Sequence, residues 1–459
     1  MRELSDLVRQ ATEEHERALD GAFDVDPLID DARSRSARRR TRRHVVHGVV
    51  AAVAVAVVAV VVVRPTSDRS EPPPPAHSVP APSPTPSTTD RIVMGPVLRD
   101  GDGKIIDVTE VPETTSAAAL AGLDYDTTAT TPQYDDVGHA ATIPDLLLPD
   151  GSWIARHVPA NAVDLGTEKT VKWSRMGTWD GRRFEPFDST ASLVPGDTPR
   201  GGSSAVAEGR WVVWMETSSL NIGIGRWRIF AADASTGKVH LVAKFEDVFP
   251  HVKDGDEGGT DMRLALHDGR VYWDVATRWD VTKPSQLEVV SAPVDGSGAV
   301  RVEATGAQKP LVVDGRIAVS VYDGTGEHLT PSALAWLGAA GPEPFLRFGA
   351  DRTFGAEPGA SGSRIAFAVE GRVYLLDVRT GALSRYPQVV DGDLGEIAVT
   401  DETVQWTADA PRDDLRVLVR WRDDGAVWTV PVGSTWNVAA GGYSGWTNAD
   451  DRQVTVRWR

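Results

Sequence analysis

The side chains best suited to chemistry in this chain are carboxylates held in glycine-rich loops. The stretch DGDEGGTD (Asp254–Asp261) carries Asp254, Asp256, Glu257 and Asp261. Carboxylates at alternate positions can wrap an oxygen-seeking cation, so Asp254, Asp256 and Asp261 form a candidate calcium site. The loop lacks the twelve-residue pattern that ends in a bidentate glutamate, and a solvated surface loop is the competing reading. DGDLGE (Asp391–Glu396) has similar character, and DGDGK (Asp100–Lys104) reads as a hairpin turn. Calcium is the one cofactor these residues suggest.

Other chemistry is excluded more firmly. The chain has no cysteine, which rules out disulfides, cysteine-ligated zinc, iron–sulfur clusters and cysteine nucleophiles. It has no G-x-x-x-x-G-K-[ST] phosphate loop, no G-x-S-x-G elbow and no H-E-x-x-H helix. Its ten histidines do not cluster at metal-ligand spacing; His251 and His267 fall on different turns. No catalytic residue is assigned. The net charge of −17 argues against a nucleic-acid partner.

The elements that would position such loops repeat along the chain. A turn of acidic residue and glycine is followed by a strand rich in Val, Ile, Trp and Tyr. The copies are DGSWIARHV (Asp150–Val158), EGRWVVWME (Glu208–Glu216), DGRVYWDVA (Asp268–Ala276) and DGRIAVSVY (Asp314–Tyr322). Weaker copies are GSRIAFAVE (Gly362–Glu370), DETVQWTAD (Asp401–Asp409) and GYSGWTNAD (Gly442–Asp450). Asp-Gly supplies the positive φ of a tight hairpin, and the apolar residues suit a pleated surface. A second phrase closes several units: a strand ending in Asp, a Thr-Gly or Gly turn, then another strand. Examples are Arg228–Val242, Val289–Glu303 and Val373–Tyr386.

Units of this length, each a small antiparallel sheet, predict an all-β chain folded as a β-propeller, because one such sheet cannot bury both faces alone. Residues 139–459 allow about 46 residues per unit for seven blades or about 54 for six, and the seven anchors favour seven. The final unit is short of a strand. Arg91–Leu98 and Lys104–Val111 read as a hairpin, and at least one of them is expected to join the last blade and close the ring. The repeated tryptophans Trp211, Trp214, Trp273, Trp406 and Trp446 are expected to pack between blades.

The Asp-x-x-Thr-Gly turns at Asp233–Gly237 and Asp377–Gly381 resemble those of the broad propeller group with TolB-like, WD-repeat-like and quinoprotein-like repeats. These are structural turns, so the resemblance implies a fold and no activity. WRDDGAVW (Trp421–Trp428) is similar to the Asp-box of sialidase-type propellers, with Trp421 in place of the usual serine. That box is structural and lies away from catalysis. AADASTGKVHL resembles a quinoprotein repeat but has Leu241 where the pattern expects tryptophan.

The chain before the repeats is organised by charge. Residues 1–31 carry 3 basic and 10 acidic side chains, and residues 32–44 carry 7 arginines and no acid. Val45–Val63 is uncharged and almost pure Ala and Val; at about 1.5 Å per residue it matches a bilayer core. The arginines that precede it put the N-terminus in the cytoplasm and the rest outside. Residues 64–90 are rich in Pro, Ser and Thr and read as an extended stalk. This layout is similar to that of single-span proteins of high-GC Gram-positive bacteria and of membrane regulators related to anti-sigma factors.

The expected organisation is therefore a cytoplasmic segment (1–44), a transmembrane helix (45–63), a disordered stalk (64–90) and an extracytoplasmic propeller (91–459). The expected function is non-enzymatic: a cell-membrane protein whose propeller binds a protein, glycan or peptide ligand outside the cell. Two alternatives stand beside it. One is a propeller hydrolase or lyase acting on an extracellular polymer. The other is a transmembrane regulator that engages a cytoplasmic protein through residues 1–31, where Leu4, Leu7, Val8, Ala11, Ala18 and Leu19 share one face of a helix.

Overall fold

Each of the seven acidic-Gly phrases becomes the turn into the second strand of a sheet. Those strands are Trp153–Val158, Trp211–Thr217, Arg270–Ala276, Arg316–Asp323, Arg364–Val369, Thr403–Asp409 and Tyr443–Thr447. The computed structural model describes residues 98–459 apart from 115, 132–139, 165–168, 219–226, 250–262, 277–286, 324–329, 349–356, 390–392, 410–415, 435, 449 and 451. The sequence-derived segments 1–44, 45–63 and 64–90 lie outside the described residues. Among the described residues, no helix is long and apolar enough to cross a membrane.

Seven antiparallel sheets follow one another as the blades of a β-propeller. The inner strands of blades 1 to 7 are Ala141–Leu147, Gly201–Glu208, Leu264–His267, Ala307–Val313, Gly359–Ser361, Leu394–Val399 and Asn437–Ala440. Each inner strand packs beside the next, and Asn437–Ala440 meets Ala141–Leu147 to complete the circle. Seven apolar clusters fill the seven gaps between neighbouring blades. Trp214 and Phe230 pack with Ile154 between blades 1 and 2, and Phe367 and Tyr374 pack with Leu334 and Leu346 between blades 4 and 5. Trp214, Trp273, Trp406 and Trp446 are all buried in these gaps, as expected of inter-blade packing.

Turn chemistry sorts the two faces of the ring. One face carries the tight hairpins between inner and second strands. Asp268–Gly269 and Asp314–Gly315 place both residues at positive φ (48° and 69°, 48° and 67°), the geometry that matches strand twist. The Asp-x-x-Thr-Gly turns lie on this face too: Asp377 Oδ1 accepts the Arg379 and Thr380 N–H groups at 2.9 and 3.2 Å. The opposite face carries the connections from second to third strand and from each blade to the next. Several of these are long, such as Thr217 to Arg228 and Lys244 to Leu264.

The ring closes differently from the sequence expectation. The turn at Asp100–Lys104 is a hairpin as expected, with Asp100 N–H bonded to Lys104 O at 2.8 Å. Its flanks, however, join other blades. Strand β1 (Arg99–Asp100) pairs with the outer strand of blade 4, and β2 (Val108–Glu110) runs parallel to that of blade 5. Strand β3 (Ala117–Ala118) runs parallel to the outer strand of blade 6. Closure falls to β4 (Tyr125–Thr131), which pairs antiparallel with Gln453–Trp458 as the outer strand of blade 7. The segment 98–131 is thus a belt over four consecutive blades. The closing strand alternates Thr, Asp and Ala, a pattern without the aliphatic run that marks the other strands, and so it escaped the pattern reading.

Candidate functional site

On the long-loop face, where inner strands begin and second strands end, five side chains from blades 3, 4 and 5 converge. Arg263 directly precedes the inner strand of blade 3, Lys309 lies early in that of blade 4, and Glu357 precedes that of blade 5. Asp274 and Tyr322 come from the far ends of the second strands of blades 3 and 4. The ring brings these positions together at one rim of the central channel.

Glu357 is the hub. Its Oε1 lies 2.7 Å from Lys309 Nζ and its Oε2 3.5 Å from Arg263 Nη1. The Arg263 backbone N–H donates to Asp274 Oδ1 at 2.7 Å. Asp274 is fully buried, and burial pushes its carboxyl up to about 7 against that hydrogen bond and the nearby Lys309 charge. Burial works against the Lys309 ammonium, yet the Glu357 carboxylate outweighs it and holds its pKa above the ordinary lysine value. Burial likewise pushes the Tyr322 hydroxyl up to about 12, with Lys309 pulling the other way.

Lys309 is held in a backbone conformation that its residue type avoids. The inner strand of blade 4 bulges between Gln308 and Leu311, and Lys309 takes φ 55° there, directly before Pro310. Left-handed backbone at a branched-chain-free but non-glycine residue costs of order 1 kcal/mol, and a following proline disfavours compact conformations further. Blade 2 has the matching bulge between Ser203 and Val206, with Ser204 at φ 51°. The bulge therefore belongs to the fold, and the lysine belongs to this blade.

Chemically, the cluster sets two permanent cations against one ionised carboxylate and one carboxyl near its midpoint at neutral pH. It can hold a proton at Asp274 and bind an acidic group at Lys309 and Arg263. Serine, cysteine and histidine are absent from the five.

A second charged network on the same face is internal to blade 2 and its flanks. Asp197 accepts from Arg200 Nη2 at 2.8 Å and from Arg228 Nε at 3.1 Å, and Arg228 also pairs with Glu246 at 2.9 Å. Glu216 is buried under it, accepting from Trp214 Nε1 at 3.0 Å and Thr190 Oγ1 at 3.1 Å, and burial pushes it up to about 7. Its side chains pair with one another, which suits an anchor for the loops.

The residues singled out from sequence fare unevenly. Asp254, Asp256 and Asp261 lie outside the described residues, as does Asp391. Among the described residues, no group of three or more His, Asp or Glu could hold a metal ion. The Asp-box-like turn is structural, as its resemblance implied: the Asp423 carboxylate takes both guanidinium nitrogens of Arg364 in blade 5 at 2.9 Å. None of the five rim residues was singled out. Two local signals mark them in hindsight: an Asp inside the apolar run RVYWDVA, and the Lys-Pro pair inside the strand AQKPLVV.

No family model matches this chain, and no curated protein matches it. Solved structures do resemble it. The β-propeller domain of the Trilobed protease from Pyrococcus furiosus is 12% identical, with 72% of this chain and 94% of that one covered and a TM-score of 0.43. The Pan2 WD40 domain of Neurospora crassa is 10% identical, covering 74% of this chain and 98% of that one, with a TM-score of 0.39. The acylaminoacyl peptidase of Pyrococcus horikoshii is 14% identical, covering 68% of this chain and 49% of that one, with a TM-score of 0.43. The match spans about half the length of the peptidases concerned. These likenesses concern the propeller fold.

They also correct the expectation of a non-enzymatic protein. Several neighbours are prolyl or acylaminoacyl peptidases, and the part that matches is their propeller domain. Missing catalytic motifs in a propeller sequence are no argument against an enzymatic role.

Proposed function

We propose that the protein is a membrane-anchored β-propeller whose channel rim on the long-loop face binds an extracytoplasmic ligand through a carboxylate. The observation that carries this reading is Glu357, whose carboxylate bridges Lys309 and Arg263. An internal acid held between two cations at a rim is chemically equivalent to a bound carboxylate. A peptide C-terminus or an acidic sugar offers the same group and displaces it. The uncharged Val45–Val63 and the arginines before it support the anchor and its orientation.

The binding test uses the purified full chain against arrays of peptides with free or amidated C-termini and of acidic or neutral oligosaccharides. Free-carboxylate probes should bind, Lys309→Met should reduce binding at least tenfold, and Glu357→Gln should strengthen it. Equal capture of free and amidated probes, or binding indifferent to Lys309→Met, refutes the proposal. Protease shaving of intact cells tests the anchor: residues 98–459 should be released, and their protection refutes the orientation. A cytoplasmic partner for residues 1–31 is part of the same proposal, and should co-purify with the full chain and not with a chain lacking them.

A further inference from the structure

Four arginines are buried among the described residues: Arg200, Arg228, Arg364 and Arg420. A guanidinium taken out of water is tolerated when acceptors and an opposite charge replace the water it has lost. Three of the four follow that rule. Arg200 and Arg228 share Asp197, and Arg364 takes both oxygens of Asp423. Arg420 is 4% exposed and has no carboxylate partner among the described residues.

Arg420 lies on the third strand of blade 6, Arg416–Arg422, and enters the gap toward blade 7. There its Nη1 donates to Ser444 Oγ at 3.2 Å, and its guanidinium carbon lies 4.5 Å from the Trp458 ring centroid. The other polar groups of the gap are already committed. Ser444 Oγ also accepts from Trp458 Nε1 at 2.8 Å and gives its one proton to Gln405 Oε1 at 2.8 Å. Gln405 Nε2 in turn donates to Asn437 Oδ1 at 3.0 Å and to Val438 O at 2.9 Å. The apolar part of the gap, with Leu418, Val430, Trp446 and Val456, offers no acceptor side chain.

The Arg420 Nε is therefore left buried without a hydrogen-bond acceptor among the described residues. On this edge of a guanidinium two N–H groups point the same way, the geometry that takes an anion side-on. Burial first, and then the Arg422 charge, pull the Arg420 pKa down to about 9, so the group is still a cation at neutral pH.

We propose that the Nε edge of Arg420 binds one small monovalent anion of the chloride class in the seam between blades 6 and 7. The positive charge sets the sign of the ligand, and the burial of the arginine sets its size. The site is separate from the rim of blades 3 to 5. Trp458, whose ring lies against the guanidinium, is paired in register with Tyr125 of the closing strand β4. The anion thus neutralises a buried cation beside the place where the ring is sealed.

The probe is chloride itself. The full chain at pH 7 in chloride-free buffer is titrated with sodium chloride, and the chloride NMR linewidth is followed. The wild type should broaden the line saturably, and Arg420→Met should cut that excess broadening at least threefold. Arg182→Met, which removes an exposed arginine, should leave it unchanged. Equal broadening by wild type and Arg420→Met, or an equal loss in Arg182→Met, overturns the proposal. A wild-type crystal grown in sodium bromide gives a reading that does not depend on how the variant folds. An anomalous peak beside Arg420 Nε is expected, and a water molecule in its place overturns the proposal.

Discussion

Asp274 makes the stability of this propeller fall as pH rises through neutrality, the reverse of the usual behaviour of carboxylates. In the unfolded chain its carboxyl titrates near 3.8, and in the folded protein burial moves it to about 7. Between these values the folded state holds a proton that the unfolded state has lost. The associated stability is complete below about 3.8 and disappears as pH climbs through about 7. Each pKa unit corresponds to about 1.4 kcal/mol, so the move from pH 5 to pH 8 removes about 3 kcal/mol through this one group. For a propeller of this size, with unfolding entropy of about 2 cal/mol/K per residue, that is a fall in Tm of about 4 °C. Asp274→Asn keeps an oxygen for the Arg263 N–H and removes the titration. Melting followed by circular dichroism at pH 5, 6, 7 and 8 should show the wild type losing several degrees and the variant losing clearly less. At pH 8 the variant should melt above the wild type. A variant that melts at or below the wild type at pH 8, with the pH slope unchanged, refutes the assignment of a buried, neutral Asp274. Glu216, also pushed up to about 7 by burial, adds the same sign of slope, so Glu216→Gln with Asp274→Asn should flatten the profile further.

Other outcomes follow from the packing. Deleting residues 120–131 removes the closing strand and should abolish cooperative unfolding, whereas deleting 98–111 should lower Tm by a few degrees and leave the ring folded; both read out by calorimetry. Gly445→Ala puts a Cβ 2.7 Å from Trp153 Cη2 between blades 7 and 1, and should cost about 1–3 kcal/mol in urea unfolding. Arg420 is buried between blades 6 and 7, its guanidinium 4.5 Å from the Trp458 ring centroid and bonded to Ser444 Oγ at 3.2 Å, and burial pulls its pKa down to about 9. Arg420→Met should therefore lie within about 1 kcal/mol of wild type by denaturant titration, while Arg420→Glu should unfold the domain.

The blades were legible because each repeats one local rule. A turn residue with positive φ, followed by alternating Val, Ile and Trp, fixes a hairpin and its buried face without help from the rest of the chain. Six of the seven anchor phrases have such a residue in the turn; the seventh, before Thr403–Asp409, turns without one and is held by the Thr400 Oγ1 bonds to the Glu402 and Thr403 N–H groups. The belt was not legible, since two residues such as Ala117–Ala118 carry no period, and only the neighbouring blade edge makes them a strand. That an N-terminal segment closes the ring could be reasoned from the shortfall in the last blade. Which segment does so depends on where Tyr125 packs, with its ring 5.6 Å from Trp446 and 5.3 Å from Trp458. The rim site was least legible of all. Arg263 and Glu357 lie 94 residues apart, and the meeting of their side chains is a property of circular closure.

The belt also gives the propeller a mechanical order. A pull on the chain before Leu98 reaches β1 first, then β2 and β3, each held by only two or three ladder positions and, at β2, by the Glu110–Arg385 ion pair. Only after these have peeled does tension arrive at the seven-residue β4, where ring integrity resides. Three weak attachments in series dissipate load before the strong one is strained. Slack of 26 residues, Arg99 to Asp124, is released while the seven-bladed body stays closed, so the rupture forces in single-molecule traces should rise from small early steps to one large final event.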